Sequence, residues 1–357
     1  MSARIRQQCQ LPADNVVLVA LHNHGGPVSM QDRLCMEADA AYLRRLEDGC
    51  VAAIDQAAAQ RRPARLSFGY GEDPDMARNR RHAGGVVDRV LPVLRVDGVD
   101  GKPMAIMTSY SCHPVVLGAD NRLWTADYPH FVRNAIEQAN PGAIAVVMTG
   151  CCGDANTGHS ARASISLGAN KTRTFAEAER IGRLVADCVL AAAMKPLGSF
   201  AASRNLSVIL RQRSIGEEPA ALLDLWRAER ELADPARAAL LGYWMHWASS
   251  IAGQPPRTFD ARVTVLDWGG ARIVALPGEI FAETALAIRS AGRDGEPMFV
   301  LGFCEDNPGY IPPESEFQHG GYEVEEAHRY YGQPAPFAPG SAEMLVSTAS
   351  KSLVEDL

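Results

Sequence analysis

The 357-residue chain predicts a mixed α/β protein, with mixed sheets covered by helices. Three features of the sequence lead to that class. Five short apolar runs bounded by turn residues read as strands buried on both faces. Helix-like stretches lie between them. Polar residues of metal-ligand and acid/base type stand directly after those runs, where α/β sheets gather ligands. Hydrophobic residues make up 47% and charged residues 22%, a globular composition with ample length for a large core. The expectation is a single unit spanning residues 1–357, its N-terminal edge shortened.

The runs are "NVVLVAL" (15–21), "MAIMTSYSC" (104–112), "AIAVVMT" (143–149), "RIVAL" (272–276) and "MFVLGF" (298–303). "NLSVILRQR" (205–213) and "RVTVLDW" (261–267) alternate more and predict half-exposed strands. Residues 175–192 predict a helix with Phe175, Ile181, Leu184, Val185, Cys188 and Val189 on its buried face, ended by Pro196. The stretch 216–252 predicts a helical insertion, divided at Pro235, whose Trp226, Trp244 and Trp247 serve as packing mass. The C-terminal "SAEMLVSTASKSLVEDL" predicts a last helix with Ser341 as N-cap.

A net charge of −7 and only short basic stretches, Arg61–Arg62 and Arg78–Arg81, exclude a sequence-independent nucleic-acid binder. No apolar run has the length of a membrane span. The N-terminal "MSARIRQQCQLPADN" lacks the apolar core of a secretory signal, so the expected compartment is the cytoplasm, without stable membrane association. The eight cysteines contain no CxxC pair, and most read as buried thiols. Cys151–Cys152 reads as tight packing in a glycine-flanked loop. Cys152 as a nucleophile would need a base, and the nearest histidine in sequence is His159.

The strand ends carry the chemistry. After the first run come His22 and His24, two positions apart, so an extended backbone points both side chains the same way. After the second comes His113. The third delivers Asp154 and Asn156, the fourth Glu279, and the fifth Glu305, Asp306 and, further on, Tyr310. Two histidines and a carboxylate with an open position suit catalytic zinc, whereas a closed cysteine set would suggest structural zinc. Each histidine alone has an ordinary structural explanation; their convergence on strand ends is what points to a metal.

The ordered series "HNHGGP", "CHPVVLG…TADYP", "TGCCGDAN", "LPGEIF" and "GYIPPESEFQHGGYE" resembles the neutral, non-lysosomal ceramidase family over nearly the whole chain. The resemblance implies a neutral-ceramidase-like catalytic core holding one zinc ion, Zn2+, per chain, with His22, His113, Glu279 and Tyr310 as ligands. It places His24, Tyr322 and Arg80 in catalysis, with Arg78 and Arg81 close enough to leave that register open, and Asp154 and Asn156 against the substrate. The implied reaction is hydrolysis of a carbon–nitrogen amide bond by zinc-activated water. Tyr322 and Arg80 would stabilise the oxyanion, and His24 would carry the proton to the leaving nitrogen.

This sequence departs from the family pattern in three ways. Asn156 stands where the family loop has serine, few residues precede the "HNH" motif, and the family's C-terminal β-sandwich is not expected. The expected partner is therefore a small soluble amide, linear or cyclic, with homo-oligomers formed through a sheet edge as a further expectation. An esterase or lactonase on a small substrate is the alternative, and a degenerate, non-enzymatic member of the family the remaining one.

Overall fold

The computed structural model describes residues 4–354 except 6, 8, 10, 13–14, 31–36, 167, 169, 215 and 217–218; Cys35 thus lies outside the described residues. The first half contributes β1 (Ala64–Gly71), β2 (Arg78–Asn79), β3 (Leu91–Gly98), β4 (Pro103–Tyr110), β5 (Ile144–Thr149), β6 (Ala155–Asn156) and β7 (Lys195–Pro196). Five of these form one sheet in the order β5-β4-β3-β1-β7, in which only β4 and β5 run parallel. The second half contributes β8 (Ala201–Arg211), β9 (Thr258–Trp268), β10 (Ala271–Ala275), β11 (Glu279–Ile280), β12 (Met298–Leu301) and β13 (Tyr310–Ile311). Four of them form a sheet ordered β12-β10-β9-β8, with β10 and β12 parallel. Two short pairs, β2 with β6 and β11 with β13, complete the ladders.

The two-residue period of the strands decides the layers. Leu94 of β3 packs in one core with Phe299 and Leu301 of β12, between the two sheets. The alternate residues point outward. Leu91 and Val93 meet Val132 and Ile136 of the Tyr128–Ala139 helix and Ile181 and Val185 of the Phe175–Leu190 helix. Met298 and Val300 meet Ala285 and Ile288 of the Ala282–Ala291 helix and Leu345 and Leu353 of the Ser341–Val354 helix. The result is four layers, helix–sheet–sheet–helix, in the mixed α/β class the sequence predicts. Each such Leu, Ile or Val contributes about 1.5–3 kcal/mol on full burial.

The predicted insertion forms two helices, Pro219–Leu232 and Pro235–Ser250, placed between the paired strands β8 and β9. Trp226, Trp244 and Trp247 pack together there, as expected of packing mass. Cys151 and Cys152 are both buried free thiols.

Several local expectations are corrected. "NVVLVAL" is not a buried strand: its ladder pairing with the chain beyond β12 is one bridge, Val19 to Cys304, beside bonds from Ala20 N to the Phe303 carbonyl, from Glu305 N to the Leu18 carbonyl and from Leu18 N to the Glu305 carboxylate. Phe303 and Glu305 have φ of 57° and 64°, and such left-handed backbone cannot extend a ladder. β5 is an edge strand, so Ile144 is 64% exposed. β9, expected to be half-exposed, is central and buried through Val263, Val265 and Leu266, because cores lie on both its faces. In the Phe175–Leu190 helix, Phe175 and Leu184 are partly exposed and Ala178, Gly182 and Ala186 take the buried face. Gly182 lets the helix approach the backbone at Tyr128, where a Cβ would stand 2.7 Å from the carbonyl oxygen. Ser341 is the first residue of its helix and donates its hydroxyl to the Ala338 carbonyl instead of capping.

Candidate metal centre

The carboxyl ends of β4, β5, β10 and β12 converge, and an isolated bridge from Gly150 to Leu301 joins the two sheets there. His113 follows β4. Its loop is pinned by Asp127, whose carboxylate accepts from the backbone N–H groups of Val116, Leu117 and Tyr128. Glu279 lies in β11, which pairs in parallel with β13 so that Glu279 stands in register with Tyr310. Gly153, at the end of the loop after β5, donates its N–H to the Ile280 carbonyl at 2.7 Å. His22 arrives from the N-terminal segment with φ of 60°, so the expected extended geometry of the His22–His24 pair is replaced by a left-handed turn. Backbone strain of this kind concentrates at functional sites.

His22, His113 and Glu279 each offer one ligand atom, and these atoms lie within 4.8 Å of one another. His22 Nε2 stands 3.4 Å from Glu279 Oε1, and His113 Nε2 stands 3.0 Å from Glu279 Oε2. The chemistry of this donor set fits a metal ion. His113 Nδ1 donates to the Cys152 carbonyl at 2.6 Å, which leaves the Nε2 lone pair aimed at the cluster and fixes the tautomer a ligand needs. His22 Nε2 is buried without a hydrogen-bond partner, a cost of about 1–3 kcal/mol for an unsatisfied polar group that coordination would remove. The Phe303 ring stacks on His22 with centroids 4.3 Å apart and holds the imidazole plane.

Electrostatics agree with this arrangement. Burial works against the Glu279 carboxylate, but His22 and His113 outweigh it and hold its pKa well below the usual range. Burial, then the Arg80 charge, pushes the His113 pKa down, so both groups are in the deprotonated forms that ligate metals. His24 stands beside the cluster and is exposed, while its ring has protein close around it. Desolvation first, then His22 and His113, holds its pKa well below 6.5. Its ring lies 5.3 Å from His22 and 6.4 Å from His113, centroid to centroid.

Of the three clustered arginines, Arg80 is the one whose side chain reaches the site. Its Nη2 donates to the Tyr310 hydroxyl and to the Gly153 carbonyl, both at 2.8 Å, and Nε to Glu323 at 2.9 Å. Arg81 is bound by Glu316, Glu323 and the Gly320 carbonyl, and Arg78 is held outward by Asp75. Tyr310 and Tyr322 meet edge to face, centroids 5.7 Å apart, and burial drives both phenols well above pKa 10. Asp154 and Asn156 are buried and bonded within the protein. Asp154 accepts from the Ala282 N–H and from Asn79, and burial raises its pKa to about 6. Asn156 donates to the His159 carbonyl and accepts from the N–H groups of Gly158 and His159. His159 itself contacts Ser164, outside the cluster. Cys152 is fully buried with its thiol pKa driven well above 9 by burial, a poor setting for a nucleophile.

Three contributors escape the sequence reading. Phe303 ends an apolar run and looks like core. Glu323, next to Tyr322, ties Arg80 and Arg81 together. Tyr331 donates its hydroxyl to Glu279 Oε1; the only sequence signal for it is an aromatic pair before Gly332.

No protein-family model matches the chain. Among solved structures, the chain is similar to the neutral ceramidase from Pseudomonas aeruginosa, with a TM-score of 0.71 and 17% identity over 99% of this chain and 65% of that one. It is also similar to a ceramidase complexed with C2, with a TM-score of 0.69 and 15% identity over 98% and 64% of the respective chains. The chain has a ceramidase-like fold. It spans just under two thirds of the length of these two structures, and at such identities the likeness establishes the fold. Among the described residues, no helix is long and apolar enough to cross a membrane.

Proposed function

We propose that this protein is a zinc-dependent hydrolase that cleaves a carbon–nitrogen amide bond in a small molecule. The observation that carries the reading is the convergence of His22, His113 and Glu279 within 4.8 Å, with the His22 nitrogen unpartnered and the His113 ring tethered from behind. Two histidines and a carboxylate form the donor set of catalytic zinc. Tyr310, in register with Glu279, is the fourth candidate ligand.

A zinc ion in this site supplies Lewis acidity, polarising a carbonyl and bringing the pKa of a water down to about 7. The chain's own groups do the rest. Arg80 is buried and charged, held by Glu323, Tyr310 and the Gly153 carbonyl, so a fixed cation stands ready to stabilise negative charge on the carbonyl oxygen. Tyr322, a neutral phenol beside Tyr310, donates to the same oxygen. His24 is neutral, accepts a proton from the attacking water and delivers it to the leaving nitrogen. Asp154 and Asn156 brace the loop next to Gly153: Asp154 ties β2 to the Ala282 helix end, and Asn156 shapes the loop to His159.

The test is metal analysis of the purified protein, followed by assay against a library of linear amides, cyclic amides and esters that includes a short-chain ceramide. Zinc bound with turnover of small amides is the expected result. Absence of metal from protein prepared in zinc-replete medium would sink the reading. Turnover of esters alone moves it to an esterase, and turnover of ceramide alone removes the small soluble substrate.

A further inference from the structure

We propose that Tyr331 is a positioning residue for Glu279, and that the tryptophan-bearing insertion sets its place. This rests on the metal-hydrolase reading above. The Tyr331 hydroxyl donates to Glu279 Oε1, the same oxygen that faces His22 Nε2. A carboxylate with one oxygen so engaged turns its other oxygen, Oε2, toward His113, and the ligand is fixed in rotation. The ring itself is placed with equal care. Gly309, with φ of 108°, has the Tyr331 ring where a side chain would stand, at 3.1 Å from an added Cβ, so the residue just before Tyr310 makes room for it.

The support behind Tyr331 comes from far along the chain. Tyr331 ends the short 3₁₀ helix Ala327–Tyr331. On that same helix, Arg329 is enclosed by Trp226, Trp244 and Trp247, its guanidinium carbon 5.3, 4.9 and 5.4 Å from the three ring centroids. Cation–aromatic contacts of this kind strengthen when desolvated, and Arg329 is 6% exposed. Trp247 also donates its indole N–H to the Gln333 carbonyl at 2.8 Å and meets the His328 ring edge to face. The insertion between β8 and β9 therefore grips one side of a helix whose end holds a metal-ligand carboxylate. Its tryptophans are packing mass with a consequence for the site.

The experiment is competition for Zn2+ between a chromophoric chelator and the metal-free protein, with Co2+ absorption as a second readout. Tyr331→Phe keeps the ring and removes the hydroxyl. Its zinc affinity is expected to fall about ten- to a hundredfold, the usual effect of removing a group that orients a ligand, while the cobalt spectrum keeps its shape. Tyr330→Phe, next door and without contact to Glu279, should leave affinity unchanged. Trp247→Phe should weaken zinc binding less, and the double variant Trp247→Phe/Tyr331→Phe should be no weaker than Tyr331→Phe alone, the non-additivity of residues acting through one contact. Unchanged affinity in Tyr331→Phe overturns the inference and leaves the metal-hydrolase reading standing. A changed cobalt spectrum, marking a lost ligand, or full additivity in the double variant also overturns it. Failure of the wild-type protein to bind zinc overturns both.

Discussion

Arg80 shows how much one side chain decides. Three arginines crowd Arg78–Arg81, yet only Arg80 turns into the site, because β2 pairs with β6 and the Arg80 N–H bonds the Asp154 carbonyl. Arg80→Lys retains the charge beside Glu323 but loses the planar fork whose Nε serves Glu323 while Nη2 serves Tyr310 and Gly153. The expected outcome is a drop in kcat of about a hundredfold with zinc content unchanged, checked by steady-state kinetics beside metal analysis. The contribution proposed for His24 is proton delivery. An amide needs its leaving nitrogen protonated and an activated ester does not, so His24→Ala should cost about 10²–10⁴ on amides and far less on a nitrophenyl ester. Equal losses on both substrates would remove His24 from proton delivery.

At the scale of elements, the site depends on close approach between loops. Gly153 lies where an added Cβ would stand 2.7 Å from the Glu279 carbonyl oxygen and 3.0 Å from the Phe281 ring. Neither neighbour has room to yield, since Glu279 is fixed in β11 and Phe281 is buried. Gly153→Ala should therefore destabilise the fold by about 1–3 kcal/mol, the range for overpacking, and weaken zinc binding in the same variant. Denaturant melts and chelator competition measure the two effects separately, and a variant with native stability and affinity would contradict the packing. The N-terminal segment teaches a related lesson. Its apolar run has the composition of a strand, yet its partner backbone beyond β12 bends through two left-handed residues, so the segment delivers His22 by one bridge and a few hydrogen bonds.

For the molecule as a whole, the insertion packs on the Ala327–Tyr331 helix through buried aromatic and basic groups, and pH reports on that packing. Burial, reinforced by the Arg329 charge, pushes the His328 pKa down to about 3, against about 6.5 for an unperturbed histidine. The unfolded chain therefore takes up that proton first. His328 contributes its full stability above pH 6.5, and the contribution is lost as pH falls toward 3, by at most about 5 kcal/mol. His328→Phe, which keeps an aromatic ring against Trp247, should flatten the stability profile between pH 6.5 and 3 relative to wild type. Chemical melts across that window check it, and parallel profiles would show that His328 titrates alike in both states.

The sequence by itself determined the mixed α/β class, strands β4, β5, β8, β9, β10 and β12, and the helices Phe175–Leu190, Pro219–Leu232, Pro235–Ser250 and Ser341–Val354, but not β1 or β3. It also placed reactive residues after apolar runs, because apolar periodicity and turn chemistry act over a few neighbouring residues. His22, His113 and Glu279 were legible for that reason: each follows its own apolar run. Only the tertiary structure decided which of β5 and β9 lay at an edge, that Asp154 bonds Ala282 and Asn79 while Asn156 bonds within its own loop, and that Tyr331 reaches Glu279 across 52 residues of chain. Those outcomes depend on which strands become neighbours and which rotamers the packing leaves open. Both are set by contacts between segments far apart in sequence, which local pattern does not encode.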